Sequence, residues 1–379
     1  MKTLKDIQHL EGVKVLVRAD FNVPILNGVI SDDFRIRAAL PTIDFLTSKG
    51  AKVILISHAE ASDGSNNSLE PVVHHLTKTG REVIFVKNIR NAQAVIENEL
   101  KNGTCVLLEN LRMFGDGEKK NDSQFAKELA SFADIYVNEA FPVSHRVHAS
   151  VVGVPALLPG YAGLQFEKEV THLSKAFTPA HPFLFVLGGA KFETKLPLIE
   201  KFLEVADQVF ICGALANDLL KIKGWEVGRS LVSDNGLDLT PVAHNPKVIL
   251  PIDVVVESKG VKRKGEVLPS EKILDAGPAT IEILKDVIAQ AKFILWNGTL
   301  GLCEQGYAEG TEAFAKLVTD ATSRGVESIV GGGDTVAALS KDGLQDKFTF
   351  VSTGGGAMLD FLAKGTLPGI QAMAKSEIE

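Results

Sequence analysis

Cationic and polar side chains recur in this chain where an apolar run stops. Val13-Lys14-Val15-Leu16-Val17-Arg18 runs into Ala19-Asp20-Phe21-Asn22-Val23-Pro24, and Lys52-Val53-Ile54-Leu55-Ile56 into Ser57-His58. Val106-Leu107-Leu108 delivers Glu109-Asn110-Leu111-Arg112, and Ile135-Tyr136-Val137 leads on to His145-Arg146-Val147-His148. In a parallel sheet the carboxyl ends of strands line the ligand crevice, so groups at those ends point to an anionic ligand. Asp20 and Asn22 could equally be turn residues, and a lone histidine is usually structural. Arg35 and Arg37 open a helical pattern running to Leu46, at the end where the helix dipole disfavours cations. Placement against the dipole suggests that at least one of them serves the ligand. His145 and His148 could pair on a metal, but no cysteine or third histidine lies near, which favours a packed or hydrogen-bonded pair.

The second half carries a different signal. Ile329-Val330 enters Gly331-Gly332-Gly333-Asp334-Thr335 and leaves as a helical pattern, so a strand turns tightly into a helix. Free N–H groups at such a helix start face whatever anion lies beyond the strand end. One turn of this kind could be an ordinary βα connection with Asp334 as the N-cap. Three more lie in the same half of the chain: Gly188-Gly189-Ala190-Lys191 after Phe185-Val186-Leu187, Asn297-Gly298-Thr299 after Leu295-Trp296, and Ser352-Thr353-Gly354-Gly355-Gly356 after Phe350-Val351. Together they predict a rim of backbone donors for a phosphorylated ligand. The chain has no G-x-x-x-x-G-K-[ST] loop, and Val336 stands where a dinucleotide loop needs its third small residue. A nicotinamide oxidoreductase is therefore the least favoured reading.

The elements that must hold these groups follow from the rest of the sequence. At 379 residues the chain exceeds what one core usually supports, so two domains are expected. With 45% hydrophobic and 23% charged residues it is globular, and a formal charge of −7 gives no support for binding nucleic acid or a membrane surface. No apolar run reaches bilayer length and the first residues lead into no secretory core, which together read as cytoplasmic. The three cysteines, Cys105, Cys212 and Cys303, each lie among apolar neighbours and read as buried side chains. Strands and helices alternate in both halves, which predicts parallel sheets with helices on both faces. Val248 to Val256 reads as one long extended segment, and Tyr161 to Phe177 as one helix after the break at Pro155-Ala156-Leu157-Leu158-Pro159-Gly160.

Eight ordered blocks resemble one family, phosphoglycerate kinase. They are Arg18-Ala19-Asp20-Phe21-Asn22-Val23-Pro24, Ser57-His58, Glu109-Asn110-Leu111-Arg112, His145-Arg146-Val147-His148-Ala149-Ser150, Gly188-Gly189-Ala190-Lys191, Trp296-Asn297-Gly298, Gly331-Gly332-Gly333-Asp334-Thr335 and Ser352-Thr353-Gly354-Gly355-Gly356-Ala357. The resemblance implies a bilobal α/β fold of two Rossmann-like parallel-sheet domains joined by a helix and hinge. Residues 1–158 would bind phosphoglycerate, 159–178 would form the connecting helix, 179–365 would bind the nucleotide, and the tail 366–379 would pack back on the first domain. The implied reaction is reversible phosphoryl transfer between 1,3-bisphosphoglycerate and ADP, giving 3-phosphoglycerate and ATP.

By motif, Asp20, Phe21, Asn22, Arg35, His58, Arg112 and Arg146 would contact the phosphoglycerate. Lys191, Lys195, Gly213, Asn297, Glu304, Gly331, Gly332, Gly333, Asp334 and Thr335 would contact the nucleotide, with Arg35 and Lys191 catalytic. Gly354 and Gly355 would seat the transferring phosphoryl group, and Asp334 would hold Mg2+. The expected partners are small molecules, ATP or ADP among them, with neither nucleic acid nor membrane, and the expected state is a monomer. The chain departs from the family pattern in places. Glu60 and Ala61 replace the Gly-Arg of the family's Ser-His-Leu-Gly-Arg-Pro loop, Pro142-Val143 replace Gly-Thr, Ile211-Cys212-Gly213 replace a glycine triplet by the adenine, and Thr299 replaces a proline. Loss of one charge-assisted hydrogen bond at Ala61 predicts substrate binding weakened about ten- to a hundredfold. These departures keep two alternatives open: a homologue that binds without catalysis, or a kinase for another small carboxylate.

Overall fold

Alternation of strands, buried at the centre and partly buried at the edges, with amphipathic helices builds two six-stranded sheets. In the computed structural model, residues 1–61, 63–190, 192, 195–233 and 236–375 are described. The expected catalytic Lys191 falls outside them. The first sheet runs Val83–Val86, Cys105–Leu108, Lys52–Ile56, Lys14–Arg18, Ile135–Asn138, Gly160–Ala162, and every pairing is parallel. The second runs Val248–Ile249, Gln208–Ile211, Phe183–Leu187, Phe293–Asn297, Glu327–Gly331, Phe350–Val351, also parallel throughout. The central strands are apolar on both faces, as sheets covered by helices on both sides require. In each sheet the chain reverses its direction of growth beside the first strand, which opens a crevice at the strand ends there.

The chain divides into two compact units, Met1–Thr171 with the segment from Lys364 onward, and His172–Ala363. In the first, helix Phe34–Ser48 turns Ile36, Ala39, Ile43 and Leu46 onto the sheet, a helical period of three and four. The helix Pro368–Lys375 belongs to this unit, where the Gly369 N–H donates to the Ser144 carbonyl at 2.9 Å. In the second unit, a smaller antiparallel sheet of Val254–Val256, Val261–Lys262 and Ile273–Ala276 adjoins the large one in sequence.

Two expectations need correction. Residues 160–162 form an edge strand, and the helix covers only Leu164–Ser174, followed by a 3-10 turn at Lys175–Phe177. The reason is Glu139, fully buried, whose carboxylate accepts the N–H of Gln165 at 3.1 Å and of Phe166 at 3.4 Å. It satisfies the orphan donors of a helix that begins after Gly163, where a Cβ would lie 1.9 Å from Glu139 Oε2. Likewise 248–256 is two strands in two sheets, Val248–Ile249 and Val254–Val256. Pro251 has no N–H for a ladder, and the Asp253 carboxylate turns to accept the N–H of Ala279 (2.9 Å) and Thr280 (2.7 Å) at the start of helix Pro278–Gln290.

Candidate functional site

In the first unit the strand-end groups are fixed by a buried hydrogen-bond frame. Arg18, wholly buried, donates from Nε to Ser150 Oγ at 2.8 Å, and Ser150 Oγ donates to Glu118 Oε1 at 2.6 Å. Arg18 Nη2 lies 3.1 Å from His58 Nδ1. Since a guanidinium only donates, Nδ1 accepts and Nε2 carries the proton. Burial, then the charges of Arg18, Arg112, Arg146 and His148, holds His58 well below the ordinary histidine range, so it presents a neutral N–H. Asn22 N–H donates to Asp20 Oδ1 at 3.2 Å, the predicted turn, and Asp20 also faces Arg35, with Oδ2 3.1 Å from Nη1. Arg35 donates from Nη1 to the Asn22 carbonyl at 3.2 Å. Phe21 is fully buried in the core, and its N–H donates to Ser57 Oγ at 2.9 Å.

Arg112 is 5% exposed, and Asn110 holds the short helix that carries it. Asn110 Oδ1 accepts the Arg112 N–H (3.1 Å), while its amide donates to the carbonyls of Ala59 (2.6 Å) and Asn67 (2.7 Å). One side-chain amide thereby fixes both Arg112 and the loop that carries Glu60. Glu60 Oε2 lies 2.5 Å from Arg112 Nη1. Arg146 is exposed, and its charge acts on both His58 and Glu60. His148 lies with Nδ1 3.7 Å from Glu118 Oε1, and burial drops it to about 4. Among the described residues there is no cluster of three or more His, Cys, Asp and Glu able to hold a metal.

In the second unit the glycine turns converge. Gly188 N–H donates to the Asn297 carbonyl at 2.8 Å, and a Cβ on Gly298 (φ +96°) would lie 2.5 Å from the Gly188 backbone. A Cβ on Gly213 (φ +62°) would meet the Gly189 nitrogen at 3.0 Å and the Thr299 oxygen at 3.1 Å. Only glycine lets these turns meet at the point where the sheet reverses. Trp296, wholly buried, ties the corner down by donating Nε1–H to the Gly298 carbonyl at 2.7 Å. Thr335 Oγ1 accepts the Gly298 N–H at 3.1 Å, a brace between two turns.

Gly332 is the N-cap of helix Gly333–Lys341, so Asp334 is not the cap but lies in the first turn, exposed and without an ion pair to a described residue. Gly331 packs against Met358, whose sulfur also receives the Asn297 amide at 3.6 Å. Gly354 N–H donates to Ser352 Oγ at 3.0 Å and Gly355 has φ +52°, ahead of helix Gly356–Lys364. Lys195 caps helix Leu196–Val205 and donates from Nζ to the Gly188 carbonyl. Burial pulls its ammonium down and the Asp334 charge pulls it back up, which puts the two in one field. A cavity of about 480 Å3 opens beside these groups, lined by Gly189, Gly213, Asp334 and Glu304 and walled by apolar side chains including Leu231 and Leu302.

Residues 4–365 match the family model described as phosphoglycerate kinase. The chain is 42% identical to the phosphoglycerate kinase of Thermosipho africanus over 401 residues, covering 100% of this chain and 99% of that protein. It is 42% identical to that of Dictyoglomus turgidum, covering 98% of each. The chain belongs to the phosphoglycerate kinase family. Two solved phosphoglycerate kinase structures agree: that from Coxiella burnetii (35% identical, TM-score 0.82, 98% of each chain) and that from Pyrococcus horikoshii OT3 (32% identical, TM-score 0.87, 100% of each chain). Membership fits both the two parallel-sheet units and the glycine-walled corner.

Against the phosphoglycerate kinase pattern, the departures differ in weight. Ile211 and Cys212 are both fully buried, so among the three positions only Gly213 lines the cavity, and the changed pair leaves its wall intact. Pro142 and Val143 are buried too, in the short helix Phe141–Val143. Ala61 and Glu60 are the consequential ones, because Glu60 reaches Arg112. Sequence reading missed Glu118 and Ser150, which stand behind Arg18 and His58. It also missed Asp275 and Asn217, which line the cavity. Burial raises Asp275 to about 6 while it accepts the N–H of Gly310 and Ala276. The full burial of an arginine at a strand end implies a carboxylate behind it, but no local spacing points to Glu118 as that group.

Proposed function

We infer that the chain catalyses reversible phosphoryl transfer between 1,3-bisphosphoglycerate and ADP, giving 3-phosphoglycerate and ATP. The observation that carries this reading is a family match across 4–365 with a cationic cluster in one unit and a glycine-walled corner in the other. In the first unit Asp20, Asn22, Arg35 and His58 would hold the glycerate, the neutral His58 N–H acting as a donor. Arg112 and Arg146 would hold its phosphate. In the second, Gly213 and Glu304 would border the nucleoside, and the turn Gly331-Gly332-Gly333 with Asn297 and Thr335 would carry the phosphates. Lys195 and Lys191 would meet the phosphates and the transferred group, which Gly354 and Gly355 would seat.

Transfer of this kind needs alignment of two anions and neutralisation of spread charge rather than covalent help. Asp334 fits a magnesium site: an exposed carboxylate in a helix first turn, free to share a cation with bound phosphates. Asp334 would hold Mg2+, which would supply charge neutralisation for the nucleotide phosphates when bound. The chain would work as a monomer in the cytoplasm, and no described helix is long and apolar enough to cross a membrane.

Calorimetry with ADP tests the nucleotide half. Lys195→Ala is expected to weaken ADP about ten- to a hundredfold, the value of one charged hydrogen bond. Asp334→Ala is expected to leave ADP binding without magnesium unchanged and to remove its enhancement by magnesium. ADP binding that is indifferent to both changes contradicts the assignment.

A further inference from the structure

The ion pair between Glu60 and Arg112 is lopsided. The Arg112 side chain is 2% exposed and the Glu60 side chain 32%. Only Nη1 of the guanidinium is engaged; Nε and Nη2 are buried with no hydrogen-bond partner among the described residues. A buried donor left unpaired is costly, so these two nitrogens form an incomplete anion seat. The Asn110 amide holds the seat rigid, and Asn66 adds a bond from Nδ2 to the Arg112 carbonyl at 3.2 Å. Glu60 is held as well: its N–H donates to Asn22 Oδ1 at 2.9 Å, so its backbone is tied to the Asp20–Arg35 group while its carboxylate reaches Arg112.

We propose that Glu60 is an internal ligand of the Arg112 seat, a carboxylate that the phosphate of the substrate must displace, and that it sets the affinity of this chain for phosphorylated acids. The proposal rests on the functional reading above for the identity of the acid, but not for the existence of the seat. The hydrogen bond and charge of Arg112, aided by the charges of Lys119 and Arg146, keep the Glu60 carboxylate below its ordinary range. It therefore stays ionised at neutral pH and competes with any incoming anion. Ala61 supplies no cation at the adjoining position to offset that competition.

The test is calorimetry on the whole chain and on Glu60→Gln and Glu60→Gly, with 3-phosphoglycerate, with inorganic phosphate alone, and with ADP as the control. Both variants are expected to bind 3-phosphoglycerate about ten- to a hundredfold more tightly while ADP is unchanged. Their ligand-free Tm falls, because a buried charge loses its partner, and saturating 3-phosphoglycerate restores it more than in the parent chain. If the parent turns over 3-phosphoglycerate but neither variant binds it more tightly, the proposal is wrong and the functional reading stands. If no form binds 3-phosphoglycerate but both variants gain inorganic phosphate, the seat stands and the functional reading falls.

Discussion

At the scale of single residues, Arg112 and His58 show how a side chain's neighbours decide its role. His58 is buried beside three arginine charges and accepts from Arg18, so it stays neutral across the physiological range. The pH profile of kcat/KM is expected to show no inflection near the ordinary histidine value from this residue, and His58→Gln, which keeps a neutral donor, should retain more activity than His58→Ala. Ala61 lies in a turn whose N–H donates to the Ser65 carbonyl at 2.8 Å, on the same loop as Glu60. Ala61→Arg adds the missing cation next to Glu60. The expected result is a KM for 3-phosphoglycerate lowered about tenfold with kcat little changed. Because both residues act on one phosphate seat, Ala61→Arg and Glu60→Gln should combine non-additively in a double-mutant cycle. An unchanged KM in Ala61→Arg contradicts this account of the loop. The positions of Asp20 and His58 just past the ends of Lys14–Arg18 and Lys52–Ile56 were legible in the sequence; Arg112 instead sits in the short helix Leu111–Phe114, and Arg146 lies beyond the short helix Phe141–Val143 rather than at a strand end. The partners Glu118 and Ser150 were not, since each comes from a segment that becomes a neighbour only on folding; Glu60 was noted beside His58, but its pairing with Arg112 was not.

At the scale of elements, the helix Leu164–Ser174 depends on a carboxylate from another strand end. Glu139 is raised to about 8 from 4.5, chiefly by burial, while Thr42 and the N–H groups of Gln165 and Phe166 oppose that shift. The folded form therefore holds its proton more tightly than the unfolded chain does. Between pH 4.5 and 8 the folded state binds the extra proton, so stability falls as pH rises through that window. Denaturant melts at pH 5 and pH 8 should differ by about 1–3 kcal/mol from this group, and the difference should shrink in Glu139→Gln. The glycine corner makes a second prediction: Gly298→Ala forces a Cβ into the Gly188 backbone and should abolish nucleotide binding or folding of the second unit, read by calorimetry and circular dichroism. Most strands could be read from apolar runs, and Lys52–Ile56 coincides with the run that the sequence marks before Ser57-His58. The misreadings at 161–177 and 248–256 share one cause. In both, a buried acid, Glu139 or Asp253, caps a helix distant in sequence and so ends an element at a point that local periodicity does not mark.

At the scale of the whole molecule, strand–helix alternation was enough to predict two parallel-sheet units. Strand order was not legible, because periodicity says that strands are buried without saying which are neighbours. The order matters to function: it brings Lys14–Arg18 beside Lys52–Ile56 and Ile135–Asn138 in one sheet, and Phe183–Leu187 beside Phe293–Asn297 in the other. The chemistry assigned to those two crevices is tested most directly by a coupled dehydrogenase assay of the whole chain with ATP, 3-phosphoglycerate and Mg2+. The account predicts ATP consumption that needs all three and stops when a chelator removes the magnesium. Absence of turnover at millimolar substrates, from folded protein that still binds ADP, would contradict it.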